Sequence, residues 1–169
     1  MNVIQRRDKI LNILKKSDKA ISGTKLANEL NVSRQIIVGD VAILKASGED
    51  IISTARGYIL NYKNDGYIEK TIVCKHGKDE IEDELNIIVD EGATVVNVVV
   101  EHGVYGQITG DLYLSSRRDV KDFIKKLKED KSNPLSELTE GIHLHTIKCK
   151  DEDSFNEVRK TLEKKGYLL

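Results

Sequence analysis

Two of the four histidines, His143 and His145, are separated by a single residue in the apolar run GIHLHTIKCK at 141–150. If this run forms a β-strand, both imidazoles leave the same face, because the side chains of a strand alternate between its two faces. Imidazole nitrogens are common metal ligands, and two of them on one face can converge on a single ion. The pair therefore indicates either a metal site or two ordinary polar residues of a strand.

The other two histidines, His76 and His102, each lie at the end of a predicted strand. A histidine at a strand end can reach a shared site, but a lone one is usually a surface residue. The spacing makes both of them candidates and leaves His102 open between the two interpretations.

A carboxylate partner for the histidines is predicted on a helix over 78–91. At about 100° per residue, Glu84 falls between Ile81 and Ile88 at the edge of the buried stripe. The other acidic residues considered fall further out: Asp79, Glu82 and Asp83. A carboxylate that is partly withdrawn from water is costly without a cationic partner, which a metal ion would supply. A lone glutamate in this position is most often a solvated residue of the helix flank.

The two cysteines, Cys74 and Cys149, follow the same alternation as the histidines. Cys149 continues the face of His143 and His145, and Cys74 shares the parity of His76. A thiolate could therefore enter the site, although a buried free cysteine is the commoner outcome. Two cysteines do not form a disulfide framework.

The elements that must position these side chains alternate between strand and helix patterns. The predicted order is strand 67–76, helix 78–91, strand 94–102, strand 105–116, helix 116–130, strand 142–150 and helix 151–166. Between helix 116–130 and strand 142–150, SNPLSELTEG is predicted to be a loop that contains at most one helical turn. This βαββαβα order is typical of an α+β fold with a split-βαβ, ferredoxin-like sheet and its helices on one face.

The first sixty residues show a different pattern, which predicts a winged helix-turn-helix. Ile4, Ile10, Leu11 and Leu14 mark an amphipathic helix over about 3–16. Ser22 and Ser33 are natural N-caps for two further helices, and Gly48 follows the second of them as a stop signal. DIISTARGYIL then reads as two short strands around a tight turn at Arg56-Gly57.

In a winged helix-turn-helix the third helix enters the DNA major groove and the wing reaches backbone or minor groove. The predicted DNA contacts are Ser33, Arg34 and Gln35 at the groove end of this helix, Thr24 and Lys25 on the second helix, and Arg56 and Tyr58 on the wing. Gly39 leaves one face of the third helix without a side chain. The alternative is a three-helix module for dimerisation or protein contact.

The two parts of the chain also differ in charge. Residues 1–61 hold ten Lys and Arg against six Asp and Glu, a net charge of +4, whereas the remainder carries −5. This asymmetry indicates a basic nucleic-acid module joined to an acidic one. The polar segment NYKNDG separates them, so the predicted domains are 1–61 and 66–169.

The composition, 39% hydrophobic and 33% charged over 169 residues, is typical of a soluble globular protein. No stretch approaches the ~20 apolar residues that a membrane helix needs. The N-terminus lacks the features of a signal peptide, so a cytoplasmic location is expected. No glycine-rich phosphate loop or Ser-His-Asp set is visible.

The motifs together resemble those of the niacin-responsive transcription repressors. VSRQIIVGDVAILKASGEDIISTARGYIL resembles their winged helix-turn-helix. CKHGKDEIEDEL, VEHGVYGQITGDL, PLSELTEGIHLHTI and the closing KKGYLL resemble their three-histidine (3H) regulatory domain. The resemblance covers nearly the whole chain and both domains in the same order.

The resemblance implies a homodimeric repressor of genes for NAD biosynthesis, NAD salvage and niacin uptake, with operator DNA as partner and nicotinic acid as corepressor. It implies a divalent transition metal, Ni, Zn or Fe, held by His76, Glu84, His143 and His145. It places His102 and Tyr105 near the effector or metal pocket. No enzymatic activity and no membrane partner are implied.

Two other functions fit the same residues. Three histidines and a glutamate could carry a metal-bound hydroxide for hydrolysis, although the fused DNA-binding module and the lack of a separate general base weigh against an enzyme. The metal could also be purely structural in a domain that serves only for dimerisation.

Overall fold

The computed structural model describes residues 1–61 and 66–169 of the chain. The chain divides into two units, 1–63 and 64–169, and each is described by itself below. The linker predicted over 61–66 includes residues 62–65, which lie outside the described residues.

The first unit contains three helices followed by a two-stranded antiparallel hairpin. Its elements are α1 (Val3–Lys15), α2 (Gly23–Leu30), α3 (Arg34–Ala46), β1 (Ile51–Thr54) and β2 (Gly57–Leu60). The predicted caps are confirmed, because the Ser22 hydroxyl accepts a hydrogen bond from the backbone N–H of Lys25 and Ser33 accepts one from that of Ile36. This order and these caps confirm the predicted winged helix-turn-helix.

The core of the first unit follows the predicted helical stripes, with one exception at the start of α1. The buried apolar residues include Ile10, Leu14, Leu26, Ala27, Leu30, Ile37, Val41 and Leu44. Ile4, which was predicted to belong to the apolar stripe of α1, is 70% exposed. The beginning of α1 contacts α3 through Arg6 and Arg7 instead, so the apolar contact starts only at Ile10.

The second unit is built on a four-stranded antiparallel sheet with three helices. Its elements are β3 (Ile68–Lys75), a 3-10 turn (Lys78–Glu80), α4 (Ile81–Asp90), β4 (Thr94–His102), β5 (Gly106–Leu114), α5 (Arg117–Glu129), a 3-10 helix (Leu135–Thr139), β6 (Ile142–Cys149) and α6 (Glu152–Lys164). The strand order is β3-β6-β4-β5, so the parallel strands β3 and β4 enclose β6 between them. This arrangement is a split βαβ unit, as the element order predicted.

One face of the sheet and the apolar faces of α4, α5 and α6 form a single core. On β6 every second residue is buried, which puts His143, His145, Ile147 and Cys149 on the core face. The predicted inward residues of the helices, among them Leu85, Ile88, Val120, Ile124, Val158 and Leu162, are buried in the same core. The histidine pair therefore faces the helices, as the alternation predicted.

The C-terminal segment after α6 returns to the edge of the sheet beside β3. The backbone N–H of Lys75 donates to the carbonyl of Tyr167 at 2.8 Å, and that of Leu169 donates to Val73 at 3.0 Å. This pairing brings the Tyr167 side chain next to the end of β3. Among the described residues, the longest apolar helical stretches fall short of what a bilayer crossing requires.

A buried carboxylate joins α1 to α3 in the first unit. Asp40 is 3% exposed, and its two oxygens accept hydrogen bonds from Arg6 Nε at 2.5 Å and Arg7 Nε at 2.9 Å. Burial alone would raise the pKa of Asp40, but the two guanidinium groups hold it below its ordinary value of 3.8. Asp40 lies at helical spacing with Ile37, Val41 and Leu44 in the buried stripe, which is the sequence signal for this contact.

Asp40→Asn should lower the thermal midpoint of the first unit by about 5 °C or more, because a neutral amide is a poor acceptor for two guanidinium groups. A folded-state pKa below the ordinary value means that the contribution of Asp40 is present above pH ~4 and is lost as the pH falls. The difference between the variant and the parent should therefore narrow below pH ~4. Thermal unfolding followed by circular dichroism, with hydrogen exchange of the α1 and α3 amides, measures both effects.

Asp8→Asn is the matched control, since Asp8 is an exposed carboxylate on the same helix α1. It should leave the midpoint within a degree or two of the parent's. Equal midpoints for Asp40→Asn and Asp8→Asn would contradict the role of Asp40.

Candidate metal centre and nucleic-acid interface

The carboxylate of Glu84 lies at the centre of three imidazoles. The Nε2 atoms of His76, His143 and His145 are 2.7, 3.2 and 3.5 Å from its oxygens. The four side chains are only 1–3% exposed. Glu84 was predicted at the edge of the buried stripe of α4, and the structure buries it completely.

The remaining ring nitrogen of each histidine faces a backbone carbonyl. His76 Nδ1 is 2.9 Å from the carbonyl oxygen of Gly77, His143 Nδ1 is 2.9 Å from that of Gly141, and His145 Nδ1 is 2.6 Å from that of Asn97. A carbonyl only accepts hydrogen bonds, so each Nδ1 carries the proton and the lone pair of a neutral ring is on Nε2. Metal-binding histidines are commonly oriented by this kind of contact.

The electrostatics of the cluster are those of one buried anion among three titratable rings. Burial alone would raise the pKa of Glu84, but the surrounding imidazoles hold it well below its ordinary value of 4.5. Burial would lower the pKa values of His76 and His145, and the Glu84 carboxylate raises both of them. The anion is thus stabilised by positive charge on its neighbours, which protons or a metal ion can provide.

Three observations indicate that the cluster suits a divalent transition metal. His76 Nε2 is buried and makes no hydrogen bond among the described residues, although it lies 2.7 Å from a Glu84 oxygen. The donor set of three imidazole nitrogens and one carboxylate is one that Zn, Ni and Fe(II) accept. A cavity of about 30 Å³ is bounded by Glu84, His143 and His145, which is room for a water-sized group.

The structure separates the two cysteines. Cys74 lies opposite His143 in the pairing of β3 with β6, whereas Cys149 pairs with Ile68 at the other end of the same two strands. Both are free and buried. The donor atoms of Cys74, Glu84 and His143 all lie within 4.8 Å of one another. Burial, together with the nearby Glu84, raises the pKa of the Cys74 thiol.

Tyr167, which lies beside the cluster, was missed by the sequence reasoning. The ring of Tyr167 lies 5.1 Å from that of His76, and its hydroxyl donates a 2.7 Å hydrogen bond to Asp83, which also pairs with Lys165 at 3.0 Å. Burial and the Asp83 carboxylate raise the pKa of Tyr167 to about 12. The contact spans 84 residues of chain, so local spacing carries no signal for it.

An open cleft of about 610 Å³ adjoins the cluster and shares His76 with it. It is lined by residues 75–78, 136–137 and 140–141, and this volume lies within the range of small-molecule sites. Lys75 and Lys78 contribute positive charge to its lining, and Glu137 and Glu140 contribute negative charge.

His102 and Tyr105, which the family resemblance placed near the effector, lie at the tip of the β4–β5 hairpin. His102 Nδ1 accepts hydrogen bonds from the backbone N–H groups of Val104 and Tyr105 at 3.1 and 3.3 Å. Tyr105 is 78% exposed. Neither residue lines the cleft or the small cavity described above.

The predicted DNA contacts lie on three elements of the first unit. Arg34, Gln35, Thr24 and Lys25 are exposed, whereas Arg56 and Tyr58 are half-buried. The Ser33 hydroxyl is engaged as the cap of α3, which gives it a structural role. Gly39 is exposed, and a Cβ added there would meet no atom within 4 Å, so this face of α3 is bare.

The wing is fastened to the segment before α2. Ile21 and Tyr58 exchange two backbone hydrogen bonds of 2.9 Å. Gly57 has φ +134°, and a Cβ there would lie 2.2 Å from the Ile21 carbonyl oxygen, so only glycine permits this approach. The wing and the start of α2 are therefore held together as one surface.

A winged helix-turn-helix joined to a second domain with a buried cluster of three histidines and a glutamate is typical of a DNA-binding regulatory protein. Residues 6–59 match the family model of an HTH domain, and residues 69–169 match the family model of the 3H domain. The chain belongs to the family of transcription repressors in which an HTH domain is followed by a 3H domain, as its two curated relatives show.

Two curated relatives cover nearly the whole chain. A probable transcription repressor NiaR of Thermotoga maritima is 41% identical over 165 residues, which are 98% of this chain and 94% of that protein. The transcription repressor NadR of Bacillus subtilis is 41% identical over 167 residues, 97% of this chain and 93% of that protein. An uncharacterized protein of Methanothermus fervidus is 34% identical over 110 residues, 60% of this chain and 17% of that protein.

Gly141 controls the approach of β6 to His76. It has φ +89°, and a Cβ there would lie 2.4 Å from the carbonyl oxygen of His76. Gly141→Ala should destabilise the second unit by about 1–3 kcal/mol and move the ring resonances of His76 and His143, because the backbone of β6 must shift away. Denaturant unfolding and histidine NMR spectra measure these effects.

Gly103→Ala is the control, because a Cβ at Gly103 meets nothing within 4 Å. It should leave both the stability and the ring resonances of the cluster near those of the parent. A Gly141→Ala protein with parental spectra would contradict the close approach.

Proposed function

We propose that this chain is a repressor whose DNA binding requires a divalent transition metal and nicotinic acid, and that it controls genes of NAD biosynthesis, NAD salvage and niacin uptake. Its membership in the repressor family and the names of its relatives support the repressor part. The observation that carries the sensing part is the buried Glu84 carboxylate with three imidazole Nε2 atoms within 3.5 Å.

The metal, Ni, Zn or Fe, would be held by His76, Glu84, His143 and His145. The tethered Nδ1 atoms support this assignment, because they leave the Nε2 lone pairs of all three neutral rings for a cation. When bound, the metal would supply a Lewis-acid centre for a small anionic ligand. Replacing Glu84 or any one of the three histidines should weaken metal binding by the remaining three side chains, because all four would contact the same ion.

Nicotinic acid is proposed to enter through the cleft of residues 75–78, 136–137 and 140–141. The cleft is open to solvent and shares His76 with the cluster, which supports binding of a small pyridine acid beside the buried donors. Lys75 and Lys78 offer cationic partners for its carboxylate. The contact of His102 and Tyr105 with the effector stays a prediction that rests on the family resemblance.

On DNA, the N-terminal end of α3 would lie in the major groove. Arg34 and Gln35 carry donors suited to base edges or phosphates, with Ser33 beside them, and Thr24 and Lys25 would contact phosphate. Arg56 and Tyr58 would contact the backbone or minor groove from the wing. A homodimer would place two such helices on half-sites at a fixed helical spacing.

Corepression requires only that nicotinic acid bind more tightly to the dimer geometry that can bind DNA than to the geometry that cannot. Coupling between two sites on a protein is typically ~1–3 kcal/mol, or about 5- to 150-fold in affinity. The same factor must apply in reverse, so operator DNA should tighten nicotinic acid binding equally.

His143→Ala combined with His145→Ala should abolish stoichiometric metal binding, because two of four donors are lost. Elemental analysis of purified protein and titration with Ni²⁺, Zn²⁺ and Fe²⁺ measure this. His102→Ala is the matched control, since it removes the histidine that lies outside the cluster, and it should retain metal. Full retention of metal by the double variant would overturn the assignment.

Operator affinity should rise by about 5- to 150-fold with micromolar nicotinic acid in the metal-loaded protein and should not rise with nicotinamide, which lacks the carboxylate. A mobility-shift titration measures this. Arg34→Ala should weaken operator binding at every nicotinic acid concentration while its metal content stays parental. A flat titration for the parent protein would remove the corepressor role.

A purely structural metal is the second candidate, and the nearly complete burial of all four donors favours it. Thermal shift distinguishes the two functions. A structural metal raises the midpoint by itself, with no further change on adding pyridine acids, whereas a sensor shows a rise that needs metal and nicotinic acid together.

A further inference from the structure

Cys74 occupies a place in the cluster that the proposed ligand set leaves unused. It lies on β3, two residues before His76 and directly opposite His143 on β6, so its side chain points to the same face as the His143 ring. It is fully buried. Its Sγ lies within 4.8 Å of a donor atom of Glu84 and of His143, a spacing that donors around one ion can have.

We propose that Cys74 is a fifth protein ligand of the metal, bound as a thiolate. This inference rests on the proposed metal function and adds a soft donor to its three nitrogens and one carboxylate. As the bond between Sγ and the metal forms, the S–H bond breaks and the proton passes to solvent, with no change of oxidation state. His76 Nε2 is buried, makes no hydrogen bond among the described residues and lies 2.7 Å from a Glu84 oxygen, so its lone pair is left for a cation beside the same carboxylate.

The second cysteine shows that burial on this face does not by itself create such a site. Cys149 is as deeply buried as Cys74 and shares its sheet face, but it pairs with Ile68 at the far end of the two strands. It belongs to no group of ligating side chains among the described residues. Of the two cysteines, Cys74 is the one that joins a soft donor to the imidazole of His143 and the carboxylate of Glu84.

A thiolate changes which metals the site favours. Sulfur ligands select soft and borderline ions, whereas carboxylates and water suit Mg²⁺ and Mn²⁺. A site with one thiolate and three imidazoles should therefore prefer Zn²⁺, Co²⁺ and Ni²⁺ over Mn²⁺ more strongly than the same site without the sulfur.

Titration of the full-length protein with Co²⁺ tests the inference, because a cobalt–thiolate bond gives an intense near-ultraviolet charge-transfer band. The band should grow to saturation in the parent protein and be absent from Cys74→Ser and Cys74→Val. Cys74→Val keeps an apolar side chain in the core, so it covers the case in which serine impairs folding. Competition with a chelator should show Zn²⁺ binding weakened ~10-fold or more in both variants, while Mn²⁺ binding changes little.

Cys149→Ser is the matched control and should keep the band. Stoichiometric Co²⁺ binding without the band in the parent, or loss of the band only in Cys149→Ser, would overturn the role of Cys74 and leave the proposed metal function standing. Failure of the parent to bind Co²⁺, Zn²⁺ and Ni²⁺ would overturn both.

Discussion

The second unit depends above all on one buried charge, the carboxylate of Glu84. An isolated carboxylate in an apolar interior costs several kcal/mol, so α4 can pack against the sheet in this way only if positive charge accompanies it. The imidazoles that can carry this charge, by taking up a proton or holding a metal ion, come from the end of β3 and from β6, and they lie 8 residues before and 59 and 61 residues after Glu84 in the chain. The contact therefore joins the helix to two strands and makes the cluster part of the fold.

Each unit uses a buried carboxylate to fix its functional element, but the cations differ in chemistry. In the first unit, Asp40 of α3 is held by two arginines of α1. Guanidinium groups stay charged at every ordinary pH, so this contact is a permanent support for the recognition helix. In the second unit the partners are histidines, which can exchange a proton for a metal ion. The same kind of buried carboxylate is a fixed support in the first unit and the centre of the proposed metal site in the second.

Much of this architecture could be predicted because it is local. Helical periodicity located the helices, the serines before α2 and α3 marked their starts, and strand alternation placed His143 and His145 on one buried face. Ile4 shows where local reasoning failed, because an apolar residue in the right phase is exposed when its helix meets its neighbour through arginines instead. Tyr167 was missed for a related reason, since its contact depends on how the C-terminal segment returns to β3.

The amino-acid sequence by itself determined the two-part organisation, the winged helix-turn-helix, the strand–helix order of the second unit and the candidate donors. These follow from periodicities and caps that act within a few residues. Only the tertiary structure decided that Glu84 is buried fully rather than at an edge, that Cys74 stands beside the cluster while Cys149 does not, and that His102 lies outside its cavities. Those outcomes depend on strand order and strand register. Both are set by packing and charge neutralisation between side chains that are far apart in the chain.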